Sequence, residues 1–313
     1  MQQVKAKIKR WLSLKGYGLF TSTFFGATTS PIRMRQRFEK FGSVSRKSIQ
    51  KKYPKVSFED HSIEKTSITM EAVCAKESYE IVILYLHGGA FFMGSADSYR
   101  NRAMRVSFRL NAKVYVPNYR LAPEHPYPAA FNDVIVSWEY VKKIHPNSSI
   151  LVAGDSAGGG LCLSLILKLK NTDHTIPDGA LMISPWTDLS VTGKSVDENR
   201  KKDLWFTRKH LEMWANHYTH KDSFLDPYVS PVFGDYKNSP PLLILVGENE
   251  LLLDDSIRIY EAAKKAGSEV YLHKGKNMQH DWPLTLPWLE ESKKAWKRMS
   301  EFTVKFHRDN LEK

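Results

Sequence analysis

Cysteine is scarce in this chain of 313 residues: there are two, Cys74 and Cys162, and neither stands in a C-x-x-C or Cys/His-rich spacing. That excludes a disulfide framework and offers no zinc site, so both thiols read as buried core residues of a protein kept in a reducing, cytoplasmic location. Long hydrophobic runs are missing as well, none approaching the roughly 18 apolar residues that a membrane-spanning helix needs. No secretory leader is expected either, because Lys15 and the polar Thr21-Ser22-Thr23 interrupt the apolar segment it would require. Internal repeats and low-complexity linkers are also lacking, which points to one domain carrying excursions.

Acidic residues are almost absent from one region. Residues 1–55 hold fourteen Lys or Arg against the single acid Glu39, whereas the rest of the chain has 32 basic and 33 acidic residues. The formal net charge of +12 therefore belongs to the N-terminal segment. Such a segment can meet an anionic membrane or a nucleic acid. A solvated helical face is the simpler reading: Val4, Ile8, Trp11 and Leu12 recur at helical spacing among Lys5, Lys7, Lys9 and Arg10, which predicts an amphipathic helix over 3–15. Nucleic acid is not expected as a partner. Membrane contact is open but not favoured, and a homodimer is open too.

What is present is an ordinary globular composition, 42% hydrophobic and 26% charged, with length enough for a large core. A helix is predicted over 32–41. The alternating stretches 56–60 and 67–73 predict an antiparallel strand pair at a sheet edge. Residues 81–86 are continuously apolar, as in a strand buried on both faces. Helix and strand then alternate: helices over 98–110, 130–143, 255–266 and 290–306, strands over 113–116, 150–153, 180–183, 242–246 and 269–273. That rhythm predicts an α/β fold of parallel strands with right-handed helical crossovers. Residues 185–241 interrupt it with a stretch rich in Trp, Tyr and His and one helix over 209–218.

The chemistry centres on Gly154-Asp155-Ser156-Ala157-Gly158. A G-x-S-x-G between an apolar strand and an apolar helix is a nucleophile elbow, in which the flanking glycines let the backbone bend and present the hydroxyl. A serine needs a base and an anion to hold that base, and in such a sheet they follow in the order Ser, acid, His. His273 falls inside a strand and His307 near the end of the last helix, which leaves His280, in the loop after the last strand, as the general base. Glu250, at the carboxyl end of the strand over 242–246, is the favoured acid. Asp254 is the alternative; with Asp255 it is expected to cap the next helix and face its dipole. Glu248 points the other way in an extended segment. Oxyanion donors are expected from the backbone of Gly88, Gly89 and Ala90, after the buried strand, and from Ala157. Ala90 is acceptable in that loop if its φ is negative.

These motifs resemble the α/β-hydrolase fold, and within it the hormone-sensitive-lipase-like carboxylesterases. The resemblance rests on His87-Gly88-Gly89, Tyr119-Arg120-Leu121-Ala122-Pro123-Glu124, the elbow, Ser184-Pro185-Trp186-Thr187-Asp188 and Asp226-Pro227-Tyr228-Val229-Ser230-Pro231. Two departures stand out: Ala90 replaces the third glycine of His-Gly-Gly-Gly, and Glu250 replaces the aspartate that begins the acid motif. The resemblance implies Ser156 as nucleophile, His280 as base and no cofactor or metal. It also implies a mostly parallel eight-stranded sheet, N-terminal cap helices over 1–50, and a catalytic domain over 51–313 with a cap insertion at about 186–240. The expected reaction is hydrolysis of small, short-acyl esters through an acyl-enzyme. Phe91, Phe92, Trp186, Trp205, Phe206 and Trp282, with Trp214, are candidates to line the pocket. Amide or lactone hydrolysis or deacetylation by the same three residues is the alternative within enzymes, and a non-catalytic small-molecule receptor the alternative outside them.

Overall fold

The computed structural model describes Gly16, residues 30–172 and residues 174–307; the amphipathic helix expected over 3–15 lies outside them. Two helices open the described chain, α1 (Pro31–Gly42) and α2 (Arg46–Lys52). They lead into β1 (Ser57–Ser62), β2 (Thr69–Cys74) and β3 (Ile81–Leu86). Helix α3 (Ala96–Leu110) precedes β4 (Ala112–Pro117), and α4 (Ala129–Ile144) precedes β5 (Ile150–Asp155). Helix α5 (Ala157–Lys170) and β6 (Gly179–Ile183) follow. The insertion holds a one-turn α6 (Ser195–Glu198) besides the expected helix, α7 (Arg208–Tyr218). The core resumes with β7 (Leu242–Gly247), α8 (Leu253–Lys265) and β8 (Val270–Gly275), and ends with α9 (Trp282–Thr285) and α10 (Glu290–Val304).

Eight strands form one sheet in the order β1-β2-β4-β3-β5-β6-β7-β8. Strand β2 pairs antiparallel with both β1 and β4, while all the other pairings are parallel. The predicted edge pair is therefore present, with β2 alone reversed. Strand β3 sits in the middle, every residue of it buried. Its alternation sends Val82, Leu84 and Leu86 toward one core and Ile81, Ile83 and Tyr85 toward the other. The first core takes Val134 and Trp138 of α4, the apolar residues of α5, and Ile259 of α8. The second takes Ala103, Met104 and Leu110 of α3 with Trp296 and Met299 of α10. The strand ends that face the site are thereby clamped from both sides.

Helix α3 starts at Ala96 rather than 98 because Ser95 caps it, its hydroxyl accepting the Ser98 amide in a reciprocal capping box. Asn111 closes the helix in the left-handed region, φ 53°. An ion network ties this helix to the N-terminal pair. Glu71 on β2, 2% exposed, accepts from Arg100 of α3 at 2.7 and 2.8 Å and from Arg46 of α2 at 2.7 Å. Truncating it would leave the buried Arg100 guanidinium without its main counter-charge. Glu71→Ala is expected to lower the unfolding free energy by about 3 kcal/mol, read from urea denaturation; a loss under about 1 kcal/mol would mean the network contributes little beyond a surface pair.

Candidate active site

Strand β5 delivers Ser156. The residue adopts φ 54° and ψ −124° between β5 and α5, a conformation that costs of the order of 1–3 kcal/mol for a side chain of this kind. Packing enforces it: a Cβ on Gly158 would stand 2.0 Å from the Leu86 carbonyl oxygen, and one on Gly154 2.6 Å from the Gly158 backbone. Only glycine at both positions lets the elbow close against β3. The Ser156 amide donates to the Ile183 carbonyl of β6 at 2.9 Å, which fixes the turn from the other side.

His280 stands in the loop after β8, its ring 2% exposed, with Nδ1 3.0 Å from Oε2 of the fully buried Glu250. The other Glu250 oxygen accepts from the Ser184 hydroxyl at 2.7 Å and from the Gly247 amide. The Ser184 hydroxyl in turn accepts the Asp281 amide at 3.1 Å. Asp254 is engaged elsewhere: its carboxylate takes the Ser195 amide at 3.1 Å, and its own amide donates to the Ser195 hydroxyl at 2.9 Å. Asp254 and Asp255 stand in the first turn of α8, where they face its dipole as expected, but neither caps it. Leu252 occupies the cap position, and Asp255 reaches across to the amides of Thr187 and Asp188 at 2.7 and 2.9 Å. Glu248 accepts the Asn277 amide at 3.0 Å, away from the imidazole.

The charges around His280 are unusual. Burial by itself would lower the imidazole, but the Asp281, Glu250 and Asp203 carboxyl groups outweigh it and push it up to about 9. Asp281 is carried well above the ordinary carboxyl range, chiefly by burial, with Asp155 and Glu250 adding to it. Its Oδ2 lies 3.5 Å from His280 Nε2. Two carboxyl groups thus flank one ring, one at each nitrogen.

The loop after β3 begins with His87, which is fully buried. Its ring stacks on Tyr119 with centroids 4.1 Å apart, and burial pushes it down to about 4, so it is a neutral prop. Gly89, Ala90 and Phe91 then have φ of 118°, 52° and 65°. The negative φ that would make Ala90 an easy replacement for glycine is not found. The chain must turn sharply enough for the amides of Phe92 and Met93 to return to the Gly89 carbonyl, at 3.1 and 2.9 Å, and a left-handed Ala90 costs about 1–2 kcal/mol. The Gly88 amide donates to Asp155 at 3.3 Å, so of the four expected oxyanion donors this one is engaged inside the protein. Ala157 opens helix α5.

Ser156, His280, Gly89 and Ala90 line one cavity, and Trp186, Trp205, Phe206 and Trp214 form its aromatic wall. Phe206 and Trp205 stand edge-on to the His280 ring, with centroids 4.6 and 5.7 Å away. Three other expected pocket residues lie elsewhere. Phe91 stacks on Tyr218 at 3.8 Å and Phe92 packs on Trp214 at 5.8 Å, both behind the wall. Trp282 is in the opposite core beside His273, 6.3 Å between centroids.

Sequence reasoning missed the layer beneath. Asp155 accepts from the hydroxyls of Tyr85 and Tyr99, both at 2.8 Å. Burial pushes both phenols well up, so they remain donors. Arg102, one turn along α3 from Tyr99, and Asp281 also line the cavity. Asp155 had a signal, since it stands inside the elbow motif, and Asp281 had its place next to His280. Arg102 had none, because its position depends on how α3 is rotated against the sheet.

Comparison with known proteins matches residues 83–284 to the alpha/beta hydrolase fold family. An esterase from Acinetobacter venetianus is 35% identical over 242 residues, 76% of this chain and 80% of that protein. An acetyl-hydrolase from Streptomyces hygroscopicus is 34% identical, over 68% of this chain and 72% of its own. A solved esterase of the bacterial hormone-sensitive lipase family superposes with a TM-score of 0.84 at 28% identity, covering 94% of this chain and 98% of that one.

The arrangement makes a spectroscopic prediction. Followed by NMR in isotope-labelled protein, the His280 imidazole is expected to titrate at about 9 instead of the ordinary value of about 6.5. The neutral, proton-accepting ring then accumulates only as pH rises through that value. Asp281→Asn removes the strongest of the raising charges and should move the midpoint down. An unsubstituted protein that titrates at or below about 6.5 would contradict the charge arrangement.

Proposed function

The chain belongs to the alpha/beta hydrolase family, among the hormone-sensitive-lipase-like esterases, and we propose that Ser156, His280 and Glu250 are the triad with which this carboxylic ester hydrolase cleaves small, short-acyl esters. The observation that carries the reading is the 3.0 Å contact between His280 Nδ1 and a fully buried Glu250 oxygen, with His280 and the elbow serine lining one cavity. Glu250 orients the ring and stabilises the imidazolium. His280 takes the Ser156 proton as the hydroxyl attacks the ester carbonyl, and returns it to the departing alcohol. Water, deprotonated by the same ring, then releases the acid from the acyl-enzyme.

The amides of Gly89, Ala90 and Ala157 are the donors assigned to the tetrahedral oxyanion. They belong to rigid backbone, a strained loop and a helix start, which suits charge stabilisation without reorganisation in the transition state. The pocket is assigned to Trp186, Trp205 and Phe206 with Trp214. We also assign a cap role to the insertion at about 186–240 and to the helices within 1–50: Trp205, Phe206 and Trp214 come from the former and Phe38 of α1 from the latter, and all four line the cavity. An aromatic wall of this kind suits a short acyl chain, in keeping with a relative named as an acetyl-hydrolase.

Ser156→Ala is expected to reduce kcat on p-nitrophenyl acetate by roughly a million-fold, with the circular dichroism spectrum unchanged. Glu250→Gln should lower kcat by roughly ten-thousand-fold, while Asp254→Asn stays within about tenfold of the unsubstituted enzyme. Equal losses in the two acid variants would remove Glu250 from the role, and near-normal turnover by Ser156→Ala would remove the triad.

A further inference from the structure

The active-site cavity is also lined by charged side chains outside the proposed triad. Arg102 lines the cavity, and its guanidinium lies 4.5 Å from the Tyr99 ring centroid and 5.8 Å from that of Phe38. These rings hold the guanidinium while leaving its N–H edges open. Among the described residues Arg102 makes no hydrogen bond and no ion pair. The nearby Asp155 is not its partner, since its oxygens are taken by Tyr85, Tyr99 and the Gly88 amide.

Asp281 faces the same space. It is 6% exposed, and among the described residues its Oδ1 is buried with no hydrogen-bond partner. Burial raises this carboxyl, while the facing His280 and Arg102 charges lower it. A charged donor, Arg102, therefore opens into a cavity whose remaining wall is largely aromatic.

We propose that Arg102 anchors a subsite for a carboxylate carried by the substrate, so that the enzyme prefers small esters bearing a free acid group to neutral esters of the same shape. The inference rests on the esterase reading. A planar guanidinium matches a carboxylate in bidentate geometry, and the match is stronger where water is scarce. The acid group can belong to the acyl part or to the alcohol part of the ester, and the two are separable by experiment.

The test pairs each anionic ester with a neutral isostere. Monoethyl succinate against ethyl 4-methylpentanoate probes the acyl side, and acetoxyacetate against isobutyl acetate probes the alcohol side. The unsubstituted enzyme is expected to favour the anionic member of one pair by about tenfold or more in kcat/KM, and the pair that responds identifies the side. Arg102→Gln should abolish that preference, and Arg102→Lys should keep part of it. Equal turnover of both members in both pairs by the unsubstituted enzyme overturns the subsite whatever the variants do, as does a preference that survives in a folded Arg102→Gln. Failure to hydrolyse any of the four esters, by contrast, counts against the esterase reading; calorimetric binding of succinate to Ser156→Ala, lost on adding Arg102→Gln, would then still support the subsite, and absence of that binding would overturn it.

Discussion

The site depends on how Asp155 is satisfied. This buried carboxylate ends β5 one residue before Ser156, and its oxygens accept from Tyr85 of β3, Tyr99 of α3 and the Gly88 amide of the loop after β3. An unpaired charge there would be costly. Satisfying it requires the middle strand, the following helix and the loop to meet at one point. Gly88 has no room for anything larger, a Cβ there standing 2.4 Å from the carboxylate. The elbow and the loop are thus held together by one shared acceptor, and their relative position is a consequence of its hydrogen bonds.

Residues 199–206 are held to the loops of Glu250 and His280 by a similar device. Asn199 donates to the carbonyls of Glu248 and Glu250 at 3.0 and 2.8 Å. Asp203 accepts the Leu251 amide with one oxygen, at 2.7 Å, and the amides of Trp205 and Phe206 with the other, at 2.7 and 3.0 Å. Gln279 donates to the Lys202 carbonyl and accepts the Leu204 amide, both at 2.9 Å. The segment that carries the aromatic wall is therefore registered against the residues flanking Glu250 and His280, and the rings over His280 are positioned by backbone amides.

Much of this was legible in the chain. The strand and helix rhythm gave the sheet because continuous apolar runs and amphipathic periods are local properties, and the elbow was legible because a tight strand-to-helix turn demands small residues at fixed spacing. The order Ser, acid, His then led to His280 and Glu250, which the structure brings into contact. What escaped were properties of three-dimensional juxtaposition. The seven aromatic pocket candidates were alike in sequence, yet Phe91 and Phe92 pack against Tyr218 and Trp214 and Trp282 lies in the opposite core, since where a ring goes is decided by backbone turns no pattern announces. The sign of φ at Ala90 was misjudged because alanine gives no warning of a left-handed turn. Arg102 looked like one more basic residue on a helix.

The glutamate at 250 illustrates how a departure from the family pattern can be absorbed. A longer acid has more ways to lie, and an extra rotatable bond would loosen the orientation of the base unless something removed the freedom. Here the Gly247 amide and the Ser184 hydroxyl both occupy Oε1, folding the side chain back over the end of its own strand and leaving Oε2 for His280. Ser184 also takes the Asp281 amide, so the hydroxyl that fixes the acid also fixes the backbone next to the base. The extra methylene is accommodated because Glu250 and the backbone next to His280 are referred to the same serine, and the distance between them is then set by Ser184 at the end of β6, a strand that contributes none of the three residues proposed as the triad.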